Sequence, residues 1–292
     1  MAMRDDFCAF ILTHERPDRV HTYRTLQRSG YTGKVYIVID DEDPTADEYR
    51  KRYGDKVIQF CKADMDATLD TGDNFAGRTS TIWPRNALWG LARQVGCRYF
   101  IQLDDDYTEF KFRLNARGDY RYKTFRRTCD DVFDALVEFV RQCPAVTIAM
   151  SQGGDFIGGT CGLRLRRKAM NSFVCDTEKP FWFVGRMNED VNTYVLGALR
   201  GDLFFTTTQV QLDQEQTQVK PGGMSELYIG SGTYVKSFHT VMRAPSCVKI
   251  GLLQDPRSLA GRIHHKINWH HTAPKILRDS WKRGGATPTP AL

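Results

Sequence analysis

CRYFIQLDDDYTEF, residues 97–110, carries an apolar run straight into three consecutive carboxylates. Tyr99 to Leu103 has the length and composition of a buried strand, and Asp104, Asp105 and Asp106 stand at its exit. Ionised carboxylates resist burial and repel one another, so three in a row call for a cation or for water. Side chains alternate along an extended backbone, which puts Asp104 and Asp106 on one side. Paired hard oxygen ligands suit a divalent ion such as Mn²⁺ or Mg²⁺, and such an ion suits a diphosphate. Taken alone, the triplet reads equally well as a solvated acidic loop. The flanking sequence has to decide.

Upstream, Phe7 to Leu12 (FCAFIL), Lys34 to Ile39 (KVYIVI) and Lys56 to Phe60 are apolar runs of strand length. Between them Pro17 suits a first helical turn, Tyr23 and Leu26 share a helical face, and Gly30 stops the helix. A short polar helix is expected over Ala46 to Tyr53. This alternation predicts an α/β chain with a Rossmann-like, mostly parallel sheet covered by helices. Ligands of such sheets bind at the carboxyl ends of the strands. Thr13–Arg16, Asp40–Asp43 and Asp104–Asp106 all fall there. Asp64 to Arg78 reads as a polar loop, and STIWPRNALWGLARQVG as a helix. Arg85 and Asn86 sit in its first turns, where free N–H groups and the dipole favour an anion.

Downstream, EFKFRLNARGDYRYKTFRRT alternates aromatic and basic residues about Asn115–Asp119 and predicts a hairpin with a cationic, aromatic surface. The competing reading packs those aromatics back onto the sheet. Asp130 to Cys143 is an amphipathic helix and Ala145 to Met150 a strand. A basic cluster follows at Arg164, Arg166, Arg167 and Lys168. Asn188-Glu189-Asp190 opens a helix; a strand (Leu203–Gln211), a helix (Ser225–Met242) and a strand (Cys247–Leu253) come after it. The segment RIHHKINWHHTAPKIL holds four of the seven histidines.

The 292 residues suit a single domain over 1–283, with a donor half to about 110, an acceptor half beyond it, and a disordered tail at 284–292. A formal charge of +6 is compatible with an anionic partner without requiring one. No apolar run approaches the roughly 20 residues that span a bilayer. The N-terminal apolar segment reads as a first strand and not a signal peptide. Eight dispersed cysteines without a CxxC pair point to a reduced, cytoplasmic protein.

Several features recur together in order: T-x-x-R after the first strand (Thr13, Arg16), paired aspartates after the second (Asp40, Asp41), R-N opening a helix (Arg85, Asn86), D-x-D (Asp104, Asp106), and E-D (Glu189, Asp190) about eighty residues later. The set resembles glycosyltransferases of the GT-A fold, nearest to the family 2 inverting enzymes. The resemblance implies that Thr13, Arg16, Asp40 or Asp41, and Arg85 hold the nucleoside of a nucleotide-sugar, commonly uridine, with His14, Asn86 and Asp105 in the same donor pocket. Asp104 and Asp106, or adjacent residues of the triplet, would hold the metal, and His264 or His265 would add a third ligand. Asp190, with Glu189 beside it, would be the general base on the acceptor hydroxyl. The Q-x-x-R-W element of processive family 2 enzymes is absent, which argues against a polysaccharide synthase.

The stretches THERPDR, IDDEDP, LDDDY, NED and RIHHKINW resemble, more narrowly, the TET-associated glycosyltransferases of bacteriophages. That resemblance implies a UDP-sugar or similar donor, a divalent metal, and 5-hydroxymethylcytosine in DNA as the acceptor. Arg113, Arg121, Lys123, Arg126 and Arg127 would then contact DNA phosphates, and the hairpin aromatics would stack on bases. The hydroxymethyl group would reach Asp190 on an extruded base. The Arg164–Lys168 cluster would join the DNA contacts or hold the donor diphosphate. A non-DNA acceptor keeps the same chemistry. A nucleotidyltransferase would carry a glycine-rich basic loop where this chain has THERPDR, and a non-catalytic DNA-binding module leaves the carboxylates unexplained.

Overall fold

The computed structural model describes residues 2–114, 120–152, 172–215, 224–253, 262–272 and 274–278. β1 (Phe7–Leu12), α1 (His21–Arg28), β2 (Lys34–Asp40), α2 (Ala46–Tyr53) and β3 (Val57–Phe60) give the expected alternation. α3 (Ala63–Asp66) and α4 (Ile82–Gln94) lead into β4 (Tyr99–Asp104). There follow β5 (Tyr107–Leu114), β6 (Tyr120–Thr124), α5 (Cys129–Gln142), β7 (Ala145–Gln152), β8 (Phe173–Asp176), α6 (Glu189–Leu199) and β9 (Leu203–Gln214). α7 (Met224–Arg243), β10 (Val248–Leu253), β11 (Arg262–Ile267) and α8 (Trp269–Thr272) complete the described elements.

Among the described residues nine strands form one sheet in the order β3-β2-β1-β4-β8-β7-β9-β5-β6. β8 and β5 run against the others, so the sheet is mixed but mostly parallel. All six residues of β1 are buried, as a continuous apolar run in a sheet covered on both faces must be. Its alternate side chains feed two cores. Cys8, Phe10 and Leu12 pack with Trp83, Leu88 and Trp89 of α4, while Phe7, Ala9 and Ile11 pack with Phe133 and Val137 of α5. Each fully buried Phe or Leu contributes about 1.5–3 kcal/mol. Gly30 closes α1 at φ +83°, and a Cβ there would lie 2.3 Å from the Cα of Arg127. The turn and that close approach both require glycine.

Three expectations change. β8 has no counterpart in the sequence reading, because four residues, FVCD, give too little periodicity to stand out. The described aromatics of the hairpin do not form an exposed surface. β5 lies between β9 and β6, so Phe110 packs on Tyr107, Phe125 and Phe133, and Phe112 on Phe125. Arg113, expected on the cationic face, is fully buried within the same strand. Finally, the strand expected over Cys247–Leu253, observed as β10, does not join the main sheet. It pairs antiparallel with β11 in a separate ribbon, which places His264 and His265 opposite Gly251 and Ile250. The ribbon rests on α7, where the Ser237 hydroxyl donates to the Ile263 carbonyl at 3.2 Å.

The turn at 115–119, the 164–168 cluster and the 284–292 tail lie outside the described residues. The seven described cysteines are free. Among the described residues no helix is long and apolar enough to cross a membrane.

Candidate active site

β2, β1 and β4 are adjacent and parallel, so their carboxyl ends lie side by side; Leu12 pairs with both Val38 and Asp104. The topology therefore brings together the three polar segments singled out in the sequence. Asp105 is buried; the Thr13 hydroxyl donates to it at 2.7 Å and Arg16 Nε stands 3.3 Å away. Thr13 Oγ1 also lies 2.8 Å from the Tyr49 hydroxyl, which accepts the Arg16 N–H at 2.8 Å. Asp104 accepts from Arg85 Nη2 at 2.9 Å and from the Tyr107 hydroxyl at 3.3 Å. Thr22 fixes the bend between β4 and β5: its hydroxyl donates to the Asp104 carbonyl at 2.6 Å and accepts the Tyr107 N–H at 2.9 Å.

The three aspartates are thus unequal. Burial raises the Asp104 and Asp105 carboxyls, against the opposing pull of Arg85 and Arg16 respectively. Asp106 makes no ion pair with a described residue, and its Oδ1 is buried without a hydrogen-bond partner. Burial, then the charges of Asp104 and Asp105, push it up to about 7.

On the β2 side, Asp40 is buried and accepts from His14 Nδ1 and Lys62 Nζ, each at 2.8 Å, and from the Glu42 N–H at 3.1 Å. Burial works to raise Asp40, but His14 and Lys62 prevail and hold it below the usual carboxylate range. The hydrogen bond to Asp40 in turn raises His14. Asp41 is exposed and lowered by the Lys62 N–H, which it accepts at 2.9 Å. Glu15 adopts φ +54°, a left-handed conformation costly for a non-glycine residue, and its N–H donates to Asp43 at 2.8 Å.

Arg85, only 2% exposed, joins the two halves of the site. Besides Asp104 it donates from Nε to Glu189 Oε1 at 3.1 Å. Burial alone would weaken its charge, but Asp104 and Glu189 outweigh it and keep the guanidinium protonated. Glu189 also accepts the Thr81 hydroxyl at 2.5 Å. Asp190, the next residue, is pushed up to about 7 by burial and by the Glu189 charge. Asn188 takes φ +53°, and its amide donates to the Lys236 carbonyl at 2.7 Å and lies 3.5 Å from His265 Nδ1. His265 therefore meets the start of α6, with the His264 ring 4.2 Å from its own. Asn86 turns elsewhere: its amide donates to the Phe183 carbonyl and accepts the Phe183 N–H, both at 2.9 Å.

Among the described residues no group of three or more His, Cys, Asp and Glu stands ready to hold a metal. The donor chemistry nevertheless fits one. The lone buried oxygen of Asp106, beside Asp104, supplies the hard ligands of Mg²⁺ or Mn²⁺, ions that leave positions for water and phosphate. Tyr49, Lys62 and Thr81 join the site without any signal in the sequence, whereas Asp43 belongs to the IDDEDP run. Lys123, Arg126 and Arg127 are exposed, and the side chain of Arg121 lies outside the described residues.

The sequence model of the TET-associated glycosyltransferases matches residues 7–223. Among solved structures, residues 1–349 of S. aureus TarS align at TM-score 0.43 and 10% identity, covering 70% of this chain and 60% of that one. A mycobacterial protein aligns at TM-score 0.44 and 11% identity, over 90% and 84% of the two chains. M. tuberculosis glucosyl-3-phosphoglycerate synthase aligns at TM-score 0.45 and 9% identity, over 88% and 90%. No curated protein sequence matches the chain.

Proposed function

The chain belongs to the TET-associated glycosyltransferase family, and on that premise we infer that it moves a sugar from a UDP-sugar to the hydroxymethyl group of 5-hydroxymethylcytosine in DNA. It is a glycosyltransferase; the donor, acceptor and mechanism are the inference. The observation that supports it most is Arg85, which bonds both Asp104 at the end of β4 and Glu189 at the start of α6, next to the candidate base.

Thr13, His14, Arg16 and the Asp40–Asp41 pair line the nucleoside side, with Arg16 Nε 3.3 Å from Asp105 and His14 bonded to Asp40. Asp104 and Asp106 would hold a divalent cation, which when bound neutralises the departing diphosphate as a Lewis acid. Asp190 takes the proton from the acceptor hydroxyl. A carboxyl near 7 is a stronger base than an ordinary one and is still ionised at neutral to mildly alkaline pH. Glu189 is already bound by Arg85 and Thr81, so its role is to hold charge and geometry while Asp190 handles the proton. The expected pH profile follows: transfer rises as pH climbs through about 7, because only ionised Asp190 accepts a proton.

A second reading, a non-DNA acceptor, draws support from the hairpin. Arg113 is buried and Lys111 is paired with Glu109 and Asp213, which leaves fewer cations for phosphate than the sequence suggests. Mass spectrometry of hydroxymethylcytosine DNA incubated with a panel of nucleotide-sugars, with and without Mn²⁺, separates the two. A hexose added to the base supports the first reading, and unmodified DNA with every donor removes it. Asp190→Asn is expected to keep donor binding and lose transfer by about 10²–10⁴-fold. Undiminished transfer in that variant would remove Asp190 as the base.

A further inference from the structure

The segment between α3 and α4, marked in the sequence only as a polar loop, is tied along its length to the residues that precede α6. The Gly185 N–H donates to the Asp70 carbonyl and the Arg186 N–H to the Thr71 carbonyl, both at 2.8 Å. Arg186 is 3% exposed, and its Nε reaches both Asp73 oxygens at 3.0 Å. The same guanidinium donates to the carbonyls of Phe75, at 2.9 Å, and Gly77, and lies 5.3 Å from the Trp83 ring. In return the Ser80 hydroxyl donates to the Arg186 carbonyl at 2.7 Å. The last link is Thr81, one residue on, whose hydroxyl donates to Glu189. The outer end of the strap is held by Arg243 of α7, which makes two 2.9 Å bonds to Asp70.

A buried guanidinium is costly unless its donors are satisfied, and the five N–H groups of a planar Arg reach a carboxylate and two separate carbonyls with a spread that the three donors of a Lys ammonium do not match. Removing it would release several strap contacts together. None of these contacts involves Thr13, His14, Arg16 or Asp40; Arg85, which shares Glu189 with Thr81, has its own bond to Asp104.

We propose that Arg186 is a positioning residue for the transfer step: by clamping residues 70–81 it fixes Thr81, through Thr81 the Glu189 carboxylate, and with it the adjacent Asp190. The proposal rests on Asp190 as the base. It places the effect of Arg186 on the reaction and not on capture of the nucleotide.

With UDP-glucose and hydroxymethylcytosine DNA as substrates, Arg186→Ala is expected to lower kcat at least tenfold with the donor KM within twofold of the parent. Arg186→Lys keeps the charge and a contact to Asp73 and is expected to recover part of that loss. Asp73→Asn, which leaves the bonds to Phe75 and Gly77, is measured beside them in case Arg186→Ala does not fold; it is expected to lower kcat at least threefold at unchanged KM. Hydrogen exchange on the full chain reads the strap directly, with the amides of 70–81 and 185–193 expected to speed up together. Parental kcat in folded Arg186→Ala, a loss carried by the donor KM, or faster exchange confined to 70–81 overturns the proposal. Asp190→Asn in the same assay separates the two failures. If it stays active, the base is wrong; if it is inactive beside fully active Arg186→Ala, the positioning role alone is wrong.

Discussion

Asp106 and Asp190 are both pushed up to about 7, and burial leads in both. Their neighbours differ: two aspartates crowd the first, and Glu189 crowds the second. A carboxyl whose folded pKa is raised binds its proton more tightly in the native state, so stability is lost as pH climbs from its ordinary value, near 3.8, through about 7. A cation on Asp106 competes with that proton. Added Mn²⁺ is therefore expected to raise Tm more at pH 8 than at pH 5.5. In Asp106→Asn that pH-dependent gain should vanish, while the metal-free protein at pH 8 becomes more stable than the parent. Equal shifts at the two pH values, or an unchanged response in the variant, would take Asp106 out of the metal seat. The triplet itself was plain in the sequence as an acidic strand end, and only the flanking motifs weighed it against a solvated acidic loop. Which of them is matched by an arginine was not, since Arg16 arrives from the loop after β1 and Arg85 from helix α4.

At the scale of elements, α4 shows how adjacent residues take opposite tasks. Successive helical positions point about 100° apart, so Arg85 faces the carboxylates while Asn86 faces the segment before α6. The motif R-N was legible, but the division of labour was not. Asn86→Ala leaves the Phe183 N–H and carbonyl without their side-chain partner in a buried setting. Loss of such partners costs about 1–3 kcal/mol each. A lower urea midpoint at unchanged m is the expected result; an unchanged midpoint would show that water replaces the amide. Strands β1, β2 and β4 were legible because their apolar runs are continuous. β8 was too short, and the inward turn of Phe110 and Phe112 depended on β9 arriving beside β5.

For the whole molecule, the +6 charge sets a long-range bias that only a partner can reveal. Lys123, Arg126 and Arg127 are the exposed members of the expected cationic face. If DNA lies across them, replacing all three by alanine should flatten the dependence of log Kd on log salt by about one for each lost phosphate contact. An unchanged slope in that titration moves the DNA to another face. The α/β class and the convergence of three strand ends were legible because parallel sheets gather ligands at one edge. The strap under Arg186 was not, since its contacts join segments more than a hundred residues apart with no shared pattern.

The register that sets Leu12 against Asp104 also has a kinetic meaning. Those partners are about ninety residues apart, so the central pairing of β1 with β4 closes a long loop, a slow event with little reward until it is complete. The same closure brings Thr13 and Arg16 to Asp105. Refolding should therefore meet its barrier and its worst crowding of negative charge in one step. During synthesis, β1 must wait until β4 has left the ribosome before this carboxyl end of the sheet can exist.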